Sequence, residues 1–353
     1  MKTSRPITIS DIVAATGLSR ATVDRVINNR SGVHPRTEAH VRRVLHELEN
    51  ERSPAAETGL DSAKGLKFGL IVQAGQAFAH SLLTEVEEFS QSAFAGFASR
   101  SDDETVDLIR RVGQDSNGIA VVAKNTESIR SAIQGLRNTG KPVVALVSDL
   151  DPNSRSAYVG IDNRSAGQIA GFIIGRCLER TANAKVAVIV GNFSYRCHED
   201  REIGFRSLLR QRFPQVEIVE VIKGDDSREA TYEAASRLVK NQQDIAGIYN
   251  VAGGNQGLAR AVQECGFSQH LLYITHELNE VTEPLLRSGM IDFLITQSLE
   301  TLVRLSQRRL IELSLGTEPV RDTNYLPVLV LSEFNLPTYK DFAPTEQGAH
   351  FAD

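Results

Sequence analysis

Apolar positions recur along the chain with two different periods, and the change of period divides it. Over the first fifty residues they fall in short runs at helical spacing. Thr8-x-x-Asp11 opens the first run and reads as a helix start. The Thr8 hydroxyl can accept from an orphan amide, and Asp11 suits the positive end of the helix dipole. A helix is predicted over Ile9 to Thr16. Gly17-Leu18-Ser19 ends it, because Gly17 can take a positive φ and Ser19 can cap a second helix over Arg20 to Ile27. The turn residues Asn28-Asn29-Arg30-Ser31-Gly32 follow, and Pro35 fits the first position of a third helix. There Val41, Val44, Leu45 and Leu48 form one apolar face, against which Ile12, Ala15, Leu18, Val23 and Val26 can pack. Arg20, Ala21, Asp24, Arg25 and Asn28 are left outward on the second helix.

Glu49 to Lys64, ENERSPAAETGLDSAK, is polar, rich in small residues and contains Pro and Gly, as a domain boundary does. From Leu66 onward the period shortens. Nine strand candidates appear: FGLIVQAG at Phe68, GIAVVAKN at Gly118, PVVALVSDL at Pro142, YVGIDN at Tyr158, KVAVIVGNF at Lys185, VEIVEVI at Val216, GIYNVAG at Gly247, LLYITHEL at Leu271 and DFLITQS at Asp292. Amphipathic helical stretches such as DETVDLIRRV, TESIRSAIQGL, RSAGQIAGFIIGRCLE, REIGFRSLLRQRF, REATYEAASRLVKN and NQGLARAVQECG lie between them. Alternation of this kind builds parallel sheets covered by helices on both faces, and nine strands suit two doubly wound lobes better than one sheet.

Composition narrows the class. The 353 residues are 41% hydrophobic and 24% charged, as in ordinary soluble globular chains. No apolar run approaches a membrane span, and MKTSRPITIS has no apolar secretory core. Cys177, Cys197 and Cys265 are widely spaced and form no C-x-x-C pair. That argues against a disulfide framework or structural zinc and fits a reducing cytoplasm. Net charge is −5, but residues 1–52 carry +3, leaving −8 on the rest. Attraction for phosphates is therefore concentrated at the head, and a helix presenting Arg and small side chains in its first turn suits entry into the major groove of DNA. The same three helices could instead serve protein contacts.

In doubly wound sheets, ligands sit beyond the C-terminal strand ends. Those ends offer Gln73, Lys124, Asn125, Ser148, Asp149, Asp162, Asn163, Asn192, Tyr195, Asn250, Asn255, His276, Glu277 and Gln297. Amides, carboxylates and rings suit a polyhydroxylated ligand, although each residue can equally be a helix cap or turn former. Signs of an enzyme are weak. There is no G-x-G-x-x-G after a first strand, no phosphate loop and no G-x-S-x-G elbow. His198-Glu199-Asp200 point in different directions on a helix, so one metal could not collect all three. No metal or cofactor is expected.

The segment ITISDIVAATGLSRATVDRVINNRSGVHPRTEAHVRRVLHEL resembles the DNA-binding headpiece of the lactose-repressor (LacI/GalR) family. The likeness lies in Thr-x-x-Asp-Ile-Val, Gly-Leu-Ser, Thr-Val-x-Arg-Val-Ile-Asn and the start of the third helix. It implies that Arg20 and Ala21 choose bases, while Thr8, Ser10, Ser19, Thr22, Arg25 and Asn28 hold phosphates or the fold. Asp24 stands where the family often has Ser, and it either orients Arg20 four residues back or reads a cytosine amino group. The resemblance also implies a hinge helix with Leu60 as its minor-groove wedge, although the usual lead-in is missing and a plain tether is the alternative.

The body, through YVGIDNRSAGQIAG, REIGFRSLL and GIYNVAGGNQGLARAV, resembles the family's effector domain, which shares the type I periplasmic-binding-protein fold. The domains implied are a headpiece over 1–52, a linker over 53–65, an effector domain over 66–336 and a tail over 337–353. Within the effector domain, one lobe takes 66–161 plus 297–325 and the other 162–296 plus 326–336, the latter segment supplying one more strand, VLVLSEF. Arg201 is expected to clamp the ligand, with Phe78 or His80, Asn125, Asp149, Tyr195, Asn250, Asn255, His276, Glu277 and Gln297 around it. His276-Glu277 departs from the commoner Asp-Asp, so the ligand stays open between a sugar or polyol and a purine or other ring compound. The expected partners are double-stranded operator DNA, a small effector and a second copy of the chain, and no membrane. The expected role is a transcription regulator, a repressor first and an activator second, with a small-molecule enzyme as a distant alternative.

Overall fold

A computed structural model describes residues 8–27, 30, 32–34, 37, 38, 40, 41, 44, 65–89, 94–224, 226–242, 244–264, 271–316 and 322–336. Two compact units result, 1–66 and 67–353. In the first, helices α1 (Ile9–Thr16) and α2 (Arg20–Ile27) have the predicted bounds. Gly17 stands at φ +66° between them, and the Thr22 amide donates to Ser19 Oγ at 3.2 Å, the cap expected of Ser19. Ile12, Val23, Val26 and Val41 form the miniature core, with Ile9, Val13, Leu18, Ile27 and Val33 packed on it, and Val44 is also buried. The side chains of Ala15, Leu45 and Leu48, expected there, lie outside the described residues, as does the whole of the 337–353 tail.

The second unit contains two six-stranded sheets. The first lobe holds β1 (Phe68–Gln73), β2 (Phe94–Ser99), β3 (Gly118–Val122), β4 (Val143–Leu146), β5 (Ala157–Ile161) and β11 (Thr323–Leu326), in spatial order β11-β5-β4-β3-β1-β2, all parallel. The second holds β6 (Lys185–Val190), β7 (Glu217–Lys223), β8 (Ile245–Asn250), β9 (Leu272–His276), β10 (Phe293–Thr296) and β12 (Leu329–Leu331), in order β12-β10-β9-β8-β6-β7. Only β12 runs antiparallel to its neighbour in that sheet. Each sheet reverses its strand order beside its first strand, between β1 and β3 and between β6 and β8, so both lobes have a switch-point crevice at their C-terminal strand ends.

The helices are α3 (Gln76–Phe89), α4 (Asp102–Asp115), α5 (Glu127–Arg137), α6 (Asn163–Cys177), α7 (Arg196–Arg212), α8 (Arg228–Asn241), α9 (Asn255–Glu264), α10 (Thr282–Arg287) and α11 (Leu299–Leu315). Two strands, β2 and β11, and the helices α3, α10 and α11 were not among the elements predicted. Both strands are sheet edges: β2 exposes most of its middle and Tyr325 of β11 is open to solvent, so neither carries the apolar run that marks a buried parallel strand.

One close approach positions the site. A Cβ on Gly167 of α6 would strike the Arg201 carbonyl, and one on Gly204 of α7 would strike the Arg164 carbonyl. The two helices therefore touch backbone to backbone, through the glycines of RSAG and REIG, and the base of Arg201 is carried to the start of α6.

Candidate functional site

The headpiece offers the first site. Arg20, Ala21 and Arg25 are exposed on α2 and Thr22 is half-buried, so the surface opposite the core is lined by the residues expected to meet DNA. Ser19 Oγ and Thr22 Oγ1 lie 2.8 Å apart, which joins the cap to the first turn of that helix. Thr8 closes the start of α1 by accepting from the Ile12 amide through its carbonyl at 3.3 Å. Asp24, expected to orient Arg20, accepts from Arg30 Nη1 at 2.9 Å. The Ser10 side chain, Asn28 and Leu60 fall outside what is described.

The second site is a cleft of about 640 Å³ between the ends of the two sheets. Arg201 lies in its wall with 2% of its surface exposed. Its guanidinium is held on three sides. Nε donates to Asn163 Oδ1 at 2.9 Å, Nη1 to the Val251 carbonyl at 2.9 Å, and Nη2 to Glu277 Oε1 at 3.0 Å. These partners stand at the start of α6, just after β8 and just after β9, so one side chain ties three elements of the second lobe together. Asn163 Nδ2 donates on to the Val147 carbonyl at 2.8 Å, which carries the network into the first lobe. Glu277 sits in left-handed backbone at φ +64° and accepts from Gln297 Nε2 at 3.4 Å. Burial pushes its carboxyl up against the pull of Arg201.

His276 and Tyr195 complete the polar walls. His276 Nε2 is 2.7 Å from Tyr249 Oη, and burial, reinforced by the Arg201 and His198 charges, holds the ring well below the usual imidazole range. His276 is therefore neutral at pH 7. Tyr195 Oη donates to the Gln73 carbonyl across the lobes at 3.0 Å. Its neighbours reach across as well: the Asn125 amide donates to the Ser194 carbonyl at 2.7 Å, Arg196 Nη1 to the Leu150 carbonyl at 3.1 Å, and the Cys197 amide to Ser148 Oγ at 3.3 Å. Among the described residues no cluster of His, Cys, Asp or Glu could hold a metal ion, and no helix is long and apolar enough to cross a membrane.

Two family models match this chain: bacterial regulatory proteins of the lacI family over residues 8–52, and the periplasmic binding protein domain over residues 73–318. The chain belongs to the lacI family of bacterial regulatory proteins. Catabolite control protein A of Priestia megaterium is 22% identical over 250 residues, covering 69% of this chain and 73% of its own. Catabolite control protein A of Staphylococcus xylosus is 24% identical over 267 residues, covering 74% and 78%. Among solved structures, a solute-binding protein of Burkholderia graminis in complex with D-arabinose has a TM-score of 0.71 at 20% identity, covering 78% of this chain and 98% of its own. A glucose-galactose binding protein of Geobacillus stearothermophilus has a TM-score of 0.69 at 21% identity, covering 77% and 99%. The regulator is thus a DNA-binding transcription factor, not an enzyme, and its body has the two-lobed periplasmic-binding-protein fold.

Of the residues expected around the regulator's effector, the cleft brings together Phe78, Tyr195, Arg201, Asn255, His276 and Glu277. It does not bring in four others. Asp149 is occupied by Arg155, which also pairs with Asp322. Asn125 Oδ1 accepts from the Asp151 amide at 3.3 Å. Asn250 is fully buried, donating to the Gly253 carbonyl and Asn255 Oδ1 and accepting from the Ala252 amide. Gln297 lies behind Glu277 rather than on the lining. His80 is exposed on α3, away from the cleft. For the four strand-end residues, the polar group is used by the protein itself. Conversely, the lining includes Gln76, Asp226, Arg228, Glu229, Asn279 and Glu280, which sequence reasoning passed over. The string KGDDSREA reads as a turn and a helix cap, and only the meeting of two lobes turns it toward a ligand.

Proposed function

We propose that the regulator is a cytoplasmic repressor which binds a near-palindromic operator as a homodimer and is switched by a sugar or polyol held in the cleft. In this reading residues 1–52 contact DNA, 53–65 join them to the effector domain over 66–336, and 337–353 are a tail. Arg20 and Ala21 select bases. Thr8, Ser10, Ser19, Thr22, Arg25 and Asn28 fix register on phosphates, and Leu60 serves the hinge. Phe78, Tyr195, Arg201, Asn255, His276 and Glu277 meet the effector directly. Asn125, Asp149, Asn250 and Gln297 hold the walls.

The observation that carries the reading is the Arg201–Glu277 pair, aimed into a cleft between two sheet ends and framed by amides and a neutral imidazole. Such a set offers both donors and acceptors in fixed directions, as a ring of hydroxyls requires. The D-arabinose in the Burkholderia graminis structure supports the same ligand class. The test is a thermal-shift panel of monosaccharides, polyols and nucleobases on the full chain, followed by operator titration with each hit. Stabilisation by a sugar or polyol that also lowers operator affinity is expected. Stabilisation by nucleobases alone, or a hit that strengthens operator binding, rejects the proposal in its ligand or its sign.

A further inference from the structure

The cleft has an unequal charge lining. Its cations are Arg201 and Arg228, joined by His198, whose imidazole burial pushes down but Cys197 and Asp226 pull above its ordinary range, and its anions are Asp226, Glu229, Glu277 and Glu280. Arg201 is matched by Glu277 at 3.0 Å. Carboxylates outnumber guanidiniums on the lining by four to two. Asp226 is the residue for which the surrounding backbone makes room. It stands at φ +56°, a conformation that costs an L-residue energy unless its neighbours impose it. A Cβ on Gly191 would collide with its carboxylate, one on Gly253 would touch it, and one on Gly75, in the first lobe, would meet its backbone. Glycines from two loops therefore lie against this carboxylate, and a third, from the first lobe, lies against its backbone where the lobes face each other.

The position of that carboxylate has a chemical consequence. The Gly253 amide lies in the loop leading into α9, where backbone N–H groups and the helix dipole favour an anion. Asp226 Oδ1 already takes that amide at 2.8 Å. The protein's own anion fills the place where a phosphate or carboxylate would bind. Its field reaches Tyr195 of the same lobe: after burial, Asp226 is the largest cause raising that phenol. A second anion entering the cleft would meet this charge at short range and low dielectric, whereas a hydroxyl can donate to it.

We propose that Asp226 is a specificity-determining residue of the cleft, which bars phosphate- and carboxylate-bearing compounds and accepts a hydrogen bond from a hydroxyl of an uncharged ligand. The second half rests on the polyhydroxylated effector of the preceding section; the barrier does not. Calorimetry on the full chain would compare D-arabinose with D-arabinose 5-phosphate, D-glucose with D-glucose 6-phosphate, and citrate and inorganic phosphate alone. Wild type and Asp226→Asn are both measured, since Asn keeps an acceptor for the Gly253 amide and tolerates left-handed backbone. Asp226→Gly replaces it if thermal melts show that the Asn variant does not fold.

The wild type is expected to prefer the unphosphorylated member of a binding pair by at least about a hundredfold, and the variant to narrow that ratio at least about tenfold by gaining affinity for the anion. A wild type that binds a phosphosugar as well as its parent overturns the proposal, and so does an unchanged ratio in the variant. If no neutral sugar binds, the polyhydroxylated reading fails while the barrier is still judged on the anions. Anion binding gained only on removing Asp226 upholds it, and anion binding by wild type or by neither protein overturns it.

Discussion

Replacing Arg201 with Ala tests whether this side chain is a ligand clamp alone or also part of the frame. Three of its five N–H donors are committed inside the protein, and its partner Glu277 is nearly as buried as it is. Removing the guanidinium leaves a buried carboxyl without its cation, a change that costs about 3–5 kcal/mol. At about 2–4 °C per kcal/mol for a domain of this size, the apparent melting temperature should fall by roughly 6–20 °C. The Glu277 carboxyl, already pushed up by burial, loses the charge that pulls it down. Its folded-state pKa then stands further above its unfolded value. Such a group gives stability at low pH that is lost as pH rises through the folded pKa, so the deficit should shrink on acidification toward the carboxylate range.

The companion variant is Arg201→Met with Glu277→Gln, which removes both charges and keeps most of the volume. It should recover much of the lost stability without restoring the effector response. Thermal and urea melts of the full chains at pH 5 and pH 8, with operator titrations beside them, read both effects. An Arg201→Ala protein that melts within about 2 °C of wild type would show that the buried pair contributes nothing to the frame, by the same conversion. A mutant whose operator release still occurs at the wild-type effector concentration would remove Arg201 from the binding site.

Arg20→Ala should cost about 1–3 kcal/mol per half-site and relax preference at one base pair, whereas Arg25→Ala should weaken binding to all sequences alike; selection from random DNA that returns the same motif for wild type and Arg20→Ala refutes the base-reading role. Because the His276 ring is held well below its ordinary range, stability should be lost as pH falls below about 6.5, by up to ~1.4 kcal/mol per pH unit from this residue. His276→Gln should flatten that limb of the urea-derived stability curve, and an unchanged slope rejects the neutral-ring assignment. Sedimentation of the full chain on its operator should give two protomers per near-palindromic site, and a monomer on DNA would exclude the dimer.

The legible parts of the chain share one property: their signal is local. Gly17 and Ser19 bracket α1 and α2 because a positive φ and an N-cap are decided within a few residues. The strands buried on both faces, such as β1 and β3, appear as unbroken apolar runs. The edge strands do not, since half of each is in water. The cleft was legible as a location, because ligands gather at strand ends, but only partly as a residue set. Nothing near Asp149 in the sequence announces that Arg155, six positions on, is buried against Asp322 and will occupy it. Asn250 looks like a ligand amide until Asn255 and the Gly253 carbonyl are seen to consume it. Asp226 is the converse, a turn residue made into lining by glycines distant in sequence.

These substitutions of role have a common physical cause. At the end of a parallel sheet the backbone runs out of ladder partners, and polar side chains must satisfy the exposed amides and carbonyls before any remain for a ligand. In the second lobe that satisfaction is almost complete. Tyr273 Oη and Thr275 Oγ1 both donate to Asn255 Oδ1, at 2.6 and 2.8 Å, and Asn250 shares the same oxygen. Asn255 is thereby fixed in orientation, with its acceptor side turned into the protein. Among the described residues four buried side-chain atoms lack a hydrogen bond, and two of them lie beside Glu277. His276 Nδ1, in the preceding residue, and Gln297 Oε1, on the amide that bonds Glu277, are buried atoms that make no hydrogen bond among the described residues. Glu277 itself holds the left-handed backbone. Each buried, unsatisfied polar atom costs about 1–3 kcal/mol. The frame around Arg201 is therefore preorganised on one side and under-satisfied on the other, so a ligand gains most by completing the Glu277 side of the cleft, where the second sheet's strands end.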